Sequence, residues 1–139
     1  MIDLTETNRI KKAIESDPTN YQDIIEQTPL AICITNETGL FHFVNNNYTR
    51  LYGYSKDELI GASFQIVVPN AQKEYLQEVH DTFMTLKNEL LQHWTVQRKN
   101  GYTFNISVDA EYLIDLDGGA KKITFVWPEA PEMQALIAQ

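Results

Sequence analysis

The sequence predicts an α+β fold: a five-stranded antiparallel sheet with short helices and one long helix on one face, and further helices flanking it at the N-terminus. Three stretches predict this. Residues 30–44 hold two short apolar runs, Leu30 to Thr35 and Leu40 to Val44, around the turn chemistry of Asn36 to Gly39, which reads as a hairpin. Residues 70–89 carry Leu76, Val79, Phe83 and Leu86 at spacings of three and four, with Leu90 continuing the series, which reads as a long amphipathic helix. Residues 91–98 and 102–111 alternate with a period of two on the two sides of Asn100 and Gly101, the strongest hairpin turn signal in the chain.

Taken in order, residues 3–16 place Leu4, Ile10, Ala13 and Ile14 among charged neighbours, a modestly amphipathic helix with too few apolar positions to form a core by itself. Asp17 and Pro18 break it. Thr19 can cap a second helix in which Tyr21, Ile24 and Ile25 share a face until Thr28 and Pro29. After the hairpin, Tyr48, Leu51 and Tyr52 return to helical spacing, and Gly53 supplies a stop. Ser55 and Glu58 form a capping box, with Tyr54 and Leu59 placed as a hydrophobic staple and Gly61 closing the turn. Pro69 suits the start of the long helix. Its apolar face includes Gln72, one turn before Leu76, with Tyr75 beside it. On the strand over 91–98, Trp94 and Val96 mark the inner side. Tyr102, Phe104, Ile106, Val108 and Ala110 then alternate with Thr103, Asn105, Ser107, Asp109 and Glu111, which predicts a half-buried strand with one polar, solvated face. Asp117 to Gly119 turn the chain into a fifth strand over 123–127, ended by Pro128 and Pro131. Met133, Leu136 and Ile137 allow one or two helical turns that need a partner. The organisation expected is a flanking helix over 1–20, a domain over 21–128 and a tail over 129–139.

Composition narrows the function. A net charge of −8 and a pI of about 4.7 argue against a polyphosphate partner, so no nucleic acid is expected. No apolar run approaches the roughly 20 residues that span a bilayer, and the polar first twelve residues do not resemble a secretory signal. No membrane association is expected, and a cytoplasmic location follows as the default. The lone Cys33 excludes an internal disulfide and reads as a small core hydrophobe; His42, His80 and His93 do not have zinc-site spacing. The six glycines fall in turns rather than in a phosphate-binding loop. No nucleophile with its base, carboxylate pair or metal set is legible, so an enzyme is not expected.

Val44 and Asn45, followed by Tyr48, Leu51, Gly53, Tyr54, Ser55, Glu58, Leu59, Ile60 and Gly61, resemble the strand-to-helix segment of PAS domains, which are ligand-binding and signal-sensing modules. From about Tyr21 to Trp127 the order of elements is similar to that fold. The resemblance implies a pocket between sheet and helices. Ile32, Ile34 and Phe43 would line it from the first hairpin, Tyr48, Tyr52, Phe64 and Val67 from the short helices, Val79 and Phe83 from the long helix, and Trp94, Ile106, Val108 and Val126 from the later strands. Asn47 stands where the family leads one to expect a small Ala. With Gln72 it adds a polar group to this set, each needing a backbone, water or ligand partner. Asn45 looks like the family's strand-end Asn, with a structural role.

Against the cofactor-binding branches, the residues depart from pattern. Gln72 falls where haem sensors carry the proximal His, and His80 reads as a flank residue rather than an axial ligand. Gly61, Ala62, Ser63 and Phe64 occupy the stretch that in LOV domains holds the adduct-forming Cys, with Ile106 and Trp127 at the flavin-contacting Asn and Gln. Haem and covalent flavin are therefore disfavoured, the cofactor is left unknown, and a non-covalent flavin redox sensor stays as an alternative. Glu129, Ala130 and Pro131 replace the Asp-x-Thr motif that leads out of signalling PAS domains, so Pro131 is expected to interrupt a helical exit. The chain would be either a single-domain protein working through partners or a piece of a larger sensor with a fused effector. The leading helices would supply a homodimer contact through Leu4, Ile10, Ile14, Tyr21, Ile24 and Ile25, or else a lid over the chain's own sheet. The function expected is a signal-transduction sensor that binds a small apolar or aromatic ligand and couples it to dimer or partner contacts, the alternative being a ligand-free dimerisation or docking module.

Overall fold

The structure, a computed structural model, describes residues 2–137. Helix α1 (Leu4–Ser16) is capped by the Asp3 carboxylate, which accepts from the amides of Thr5 and Glu6. A 3-10 turn at Pro18–Asn20 leads into α2 (Tyr21–Glu26). Strands β1 (Ala31–Thr35) and β2 (Phe41–Val44) form the first hairpin, followed by α3 (Asn46–Tyr52) and α4 (Lys56–Leu59). The capping box of Ser55 and Glu58 is present with both hydrogen bonds, and Gly53 ends α3 in the left-handed conformation. Two 3-10 turns, Phe64–Val67 and Asn70–Gln72, precede the long helix α5 (Lys73–Leu86). This helix is shorter than the expected 70–89. Its first turn winds as 3-10 helix, and Lys87 stops it with a φ of 63°. Strands β3 (Leu90–Gln97), β4 (Thr103–Leu116) and β5 (Gly119–Pro128) complete the sheet, and α6 (Pro131–Gln134) follows.

All strand pairs are antiparallel, and the spatial order is β2-β1-β5-β4-β3. Both faces are covered. On the inner face α3, α4, α5 and the 3-10 turns close over Ala31, Cys33, Val96, Ile106, Val108 and Val126. On the outer face Ile10 and Ile14 of α1 and Tyr21 and Ile25 of α2 pack on Ile32, Ile34, Ile123 and Phe125. Of the two roles expected for the leading helices, the lid is the one seen. Ile10, Ile14, Tyr21 and Ile25 are buried against the chain's own sheet; Leu4 is exposed and Ile24 half-buried. The first four are therefore not open to a second subunit while α1 and α2 stay docked.

Covering both faces also overturns the expected polar side of β4. Ser107, Asp109 and Glu111 are buried instead of solvated. Lys11 of α1 reaches down to Glu111 at 2.9 Å, and carboxylate oxygens of Glu89, Asp109 and Glu111 lie within 4.8 Å of one another.

One buried side chain joins these layers. The Asn45 carboxamide oxygen accepts from the amides of Ile32 and Tyr48, and its NH2 donates to the carbonyls of Ile25 and Leu30. A buried amide with all these partners locks the end of α2, the start of β1 and the start of α3 into one arrangement. The tail is also part of the packing. Pro131 opens α6 at its first residue, a position whose missing N–H is harmless, and Met133 and Ile137 bury themselves in the inner core. The expected interruption at Pro131 is thus a helix start.

Candidate functional site

Between the inner face of the sheet and the helices lies a cleft with a cavity of about 60 Å³. Tyr48 and Tyr52 reach it from α3, one turn apart, with ring centroids 4.5 Å from each other. Phe64 and Val67 come from the first 3-10 turn, and Val79 from α5. Trp94, Ile106, Val108 and Val126 come from the strands. These nine expected residues are gathered together as the family pocket requires.

Six others are not. Ile32 and Ile34 face outward into the α1 side, and Phe43 packs there too. All five residues of β1 are buried, so its alternation gave no sign of which face was inner, and the assignment slipped by one residue. A bulge between Ile34 and Thr35 then carries the irregularity into β2. Asn47 points back to the lead-in of β1: its NH2 donates to the carbonyls of Thr28 and Leu30 and its oxygen accepts from Arg50. Gln72 ends a 3-10 turn and is exposed. Phe83 is buried on α5 beyond the cleft, with its ring under the Lys122 ammonium at 5.0 Å.

In their place the structure brings Cys33, Thr35, Leu76, His80, Lys122 and Thr124 to the wall, together with Val68 and Val96. His80 is not a flank residue. It is only 2 % exposed, its ring lies 5.5 Å from that of Phe64, and Nε2 donates to the Glu37 carbonyl at 2.9 Å. Burial, with the Lys122 charge adding to it, lowers its pKa below the usual 6.5. Burial pushes the Cys33 thiol up to about 11, which makes it a poor nucleophile. The Tyr48 and Tyr52 hydroxyls are raised too, by the same cause. Lys122 is 7 % exposed, and burial draws its amine down from 10.5 to about 8. No carboxylate among the described residues lies within 4.0 Å of it. A signal for these positions was available: Val126, Thr124 and Lys122 fall two apart on one strand, so one inward residue implies the others.

The turn between the first two strands closes this end of the cleft. The Gly39 carbonyl accepts from the Phe64 amide, and Gly39 itself, at φ 91°, leaves no room for a Cβ, which would sit 2.8 Å from the Phe64 ring.

The sequence model of the PAS fold matches residues 19–127. The chain belongs to the PAS fold family. Among solved structures, this PAS chain is similar to the PAS domain of an HTR-like protein from Haloarcula marismortui. The identity is 18%, 87% of this chain and 98% of that one are covered, and the TM-score is 0.66. A PAS domain from a two-component sensor histidine kinase matches at 17% identity over 83% and 98%, with a TM-score of 0.66. The PAS domain of a LuxR-family transcriptional regulator from Burkholderia thailandensis, solved in complex with ethanol, matches at 19% identity over 78% and 96%, with a TM-score of 0.64. A comparison with curated protein sequences finds no match.

Proposed function

We propose that this PAS domain is the sensing module of a signalling protein, with the cleft as its ligand site and the packed flanking helices as its output. The observation that carries this reading is the double role of β5. Lys122, Thr124 and Val126 line the cleft, while Ile123 and Phe125 between them pack in the outer core with α1 and α2. A ligand that repositions β5 from inside must also alter the seat of α1, because adjacent side chains on one strand point to opposite faces. Occupancy would then shift a population between two packings of the lid, and loosening it would free Ile10 and Ile14 for a dimer or partner contact.

Titration of small ligands into ¹⁵N-labelled protein tests this. Amide shifts on β5 with matching shifts on α1 are expected. Shifts confined to the cleft residues would refute the coupling. The small cavity favours a second reading, a docking module without a ligand, since about 60 Å³ is far below the roughly 300 Å³ at which pockets for drug-sized ligands begin. Native mass spectrometry separates the two readings: a bound mass on the freshly purified chain supports the sensor, and a dimer indifferent to every ligand tried supports docking.

A further inference from the structure

The inner core of this domain contains one group that packing does not explain. Lys122 sits on the inward side of β5, almost fully buried, in a chain whose net charge is −8. Acidic residues are plentiful, yet among the described residues none lies within 4.0 Å of its ammonium. What it does have is the Phe83 ring at 5.0 Å, a cation–π contact that compensates only part of the lost hydration. The groups facing it in the cleft are the Cys33 thiol and Thr35 hydroxyl from β1, Thr124 from β5 itself and His80 from α5. None is anionic at neutral pH: the thiol is held protonated by burial, and His80 is held neutral with its Nε2 proton on the Glu37 carbonyl. The far end of the cleft is apolar, built from Trp94, Val96, Ile106 and Val108.

An unpaired buried cation at one end and an apolar wall at the other define a ligand with a negative head and a short apolar tail. The size follows from the cavity. A water-sized group needs on the order of 10–15 Å³ of such volume, so about 60 Å³ accommodates roughly four to six heavy atoms. Resting on the reading of the cleft as the ligand site, we propose that it recognises a short-chain aliphatic monocarboxylate, with the carboxylate on Lys122 and the hydroxyls of Thr35 and Thr124 beside it, and the alkyl tail toward Trp94 and Ile106. Lys122 is then the specificity-determining residue. It discriminates an acid from a neutral molecule of the same shape because only the acid compensates a charge already desolvated.

The test uses the full chain with acetate, propionate, butyrate and hexanoate, and with butyramide and butanol as neutral matches for butyrate. Binding is read by isothermal calorimetry at matched ionic strength, with chloride and phosphate as anion controls. Propionate and butyrate should bind at least tenfold tighter than butyramide and butanol, and hexanoate should be weaker because its tail exceeds the cavity. Lys122→Met should abolish the preference for acid over amide. Should that variant fail to fold, the wild-type pH profile decides the matter. The carboxylate stays ionised throughout, so affinity should fall about tenfold per pH unit above pH 8 as the lysine loses its proton, with proton uptake on binding in that range. Equal binding of butyrate, butyramide and butanol, or a flat pH profile, overturns the carboxylate assignment while leaving the cleft a ligand site. Binding of chloride or phosphate as tight as that of butyrate overturns the apolar-tail assignment. No binding by any acid, amide or alcohol overturns the sensor reading and this proposal together.

Discussion

Asp109→Asn is the perturbation that most directly tests how the outer layer is held. Asp109 is fully buried on β4 beneath α1, and neither of its carboxylate oxygens has a hydrogen-bond partner. Burial is the main cause that pushes its pKa from 3.8 up to about 7, against an opposing pull from the nearby Thr7 hydroxyl, and the neighbouring Glu89 and Glu111 add to the rise. The sign follows from linkage. A carboxyl whose folded pKa lies above its unfolded one binds its proton more tightly in the native state, so its contribution to stability is intact below about pH 4 and is lost as the pH rises to 7. With those two pKa values, about 2–3 kcal/mol is lost between pH 5 and pH 8; allowing for relaxation around the group, about 2 kcal/mol is the expected size. Asn keeps the shape and cannot ionise. Urea denaturation at pH 5 and pH 8 should therefore show the stability of the variant relative to the wild type rising by about 2 kcal/mol from the lower pH to the higher. Taking the difference between the two proteins cancels the groups that do not adjoin Asp109. Equal slopes with pH in the two proteins would refute the argument, since Asp109 would then be ionised and compensated in the native state.

Lys122→Met should stabilise the ligand-free protein. Lowering the amine from 10.5 to about 8 corresponds to an upper limit of about 3 kcal/mol, so a gain of about 1–2 kcal/mol at pH 7 is expected in urea melts. A base with a depressed folded pKa makes the wild type gain stability as pH rises from 8 to 10.5, and the variant should lose that gain. Gly39→Ala places a Cβ 2.8 Å from the Phe64 ring at a φ of 91°; a loss of about 1–3 kcal/mol is expected, read by thermal unfolding together with a changed Trp94 fluorescence, and an unchanged midpoint would contradict the close packing of the turn. Asn45→Ala removes the partner of two amides and two carbonyls. It should cost about 3 kcal/mol or more in denaturant unfolding, and a loss under 1 kcal/mol would show that water or the backbone takes over these bonds.

Local patterns carried most of the fold because they depend on neighbours in sequence. The turn at Asn100 and Gly101, the capping box at Ser55 and the stop at Gly53 are all local, and each stands where expected. The candidate site was legible wherever one face was plainly apolar, as for Tyr48, Tyr52, Trp94, Ile106 and Val126. It was misread on β1, where five consecutive buried residues carry no phase. It was also misread for His80, and Lys122 was not singled out, because a polar side chain reads as exposed when only the neighbouring positions are known.

By itself, the order of residues determined the PAS fold, its element boundaries to within a few residues, and the apolar wall of the cleft, since all of these rest on periodicity and on turn and cap chemistry. Only the tertiary structure decided that α1 and α2 cover the chain's own sheet, that the polar side of β4 is thereby buried with Asp109 and Glu111, and that the tail folds back into the inner core. It also decided that an unpaired ammonium faces the cleft. The physical reason is the same in each case: burial is a property of what packs across a surface from a distant part of the chain, and no local pattern of polarity records which surface that is.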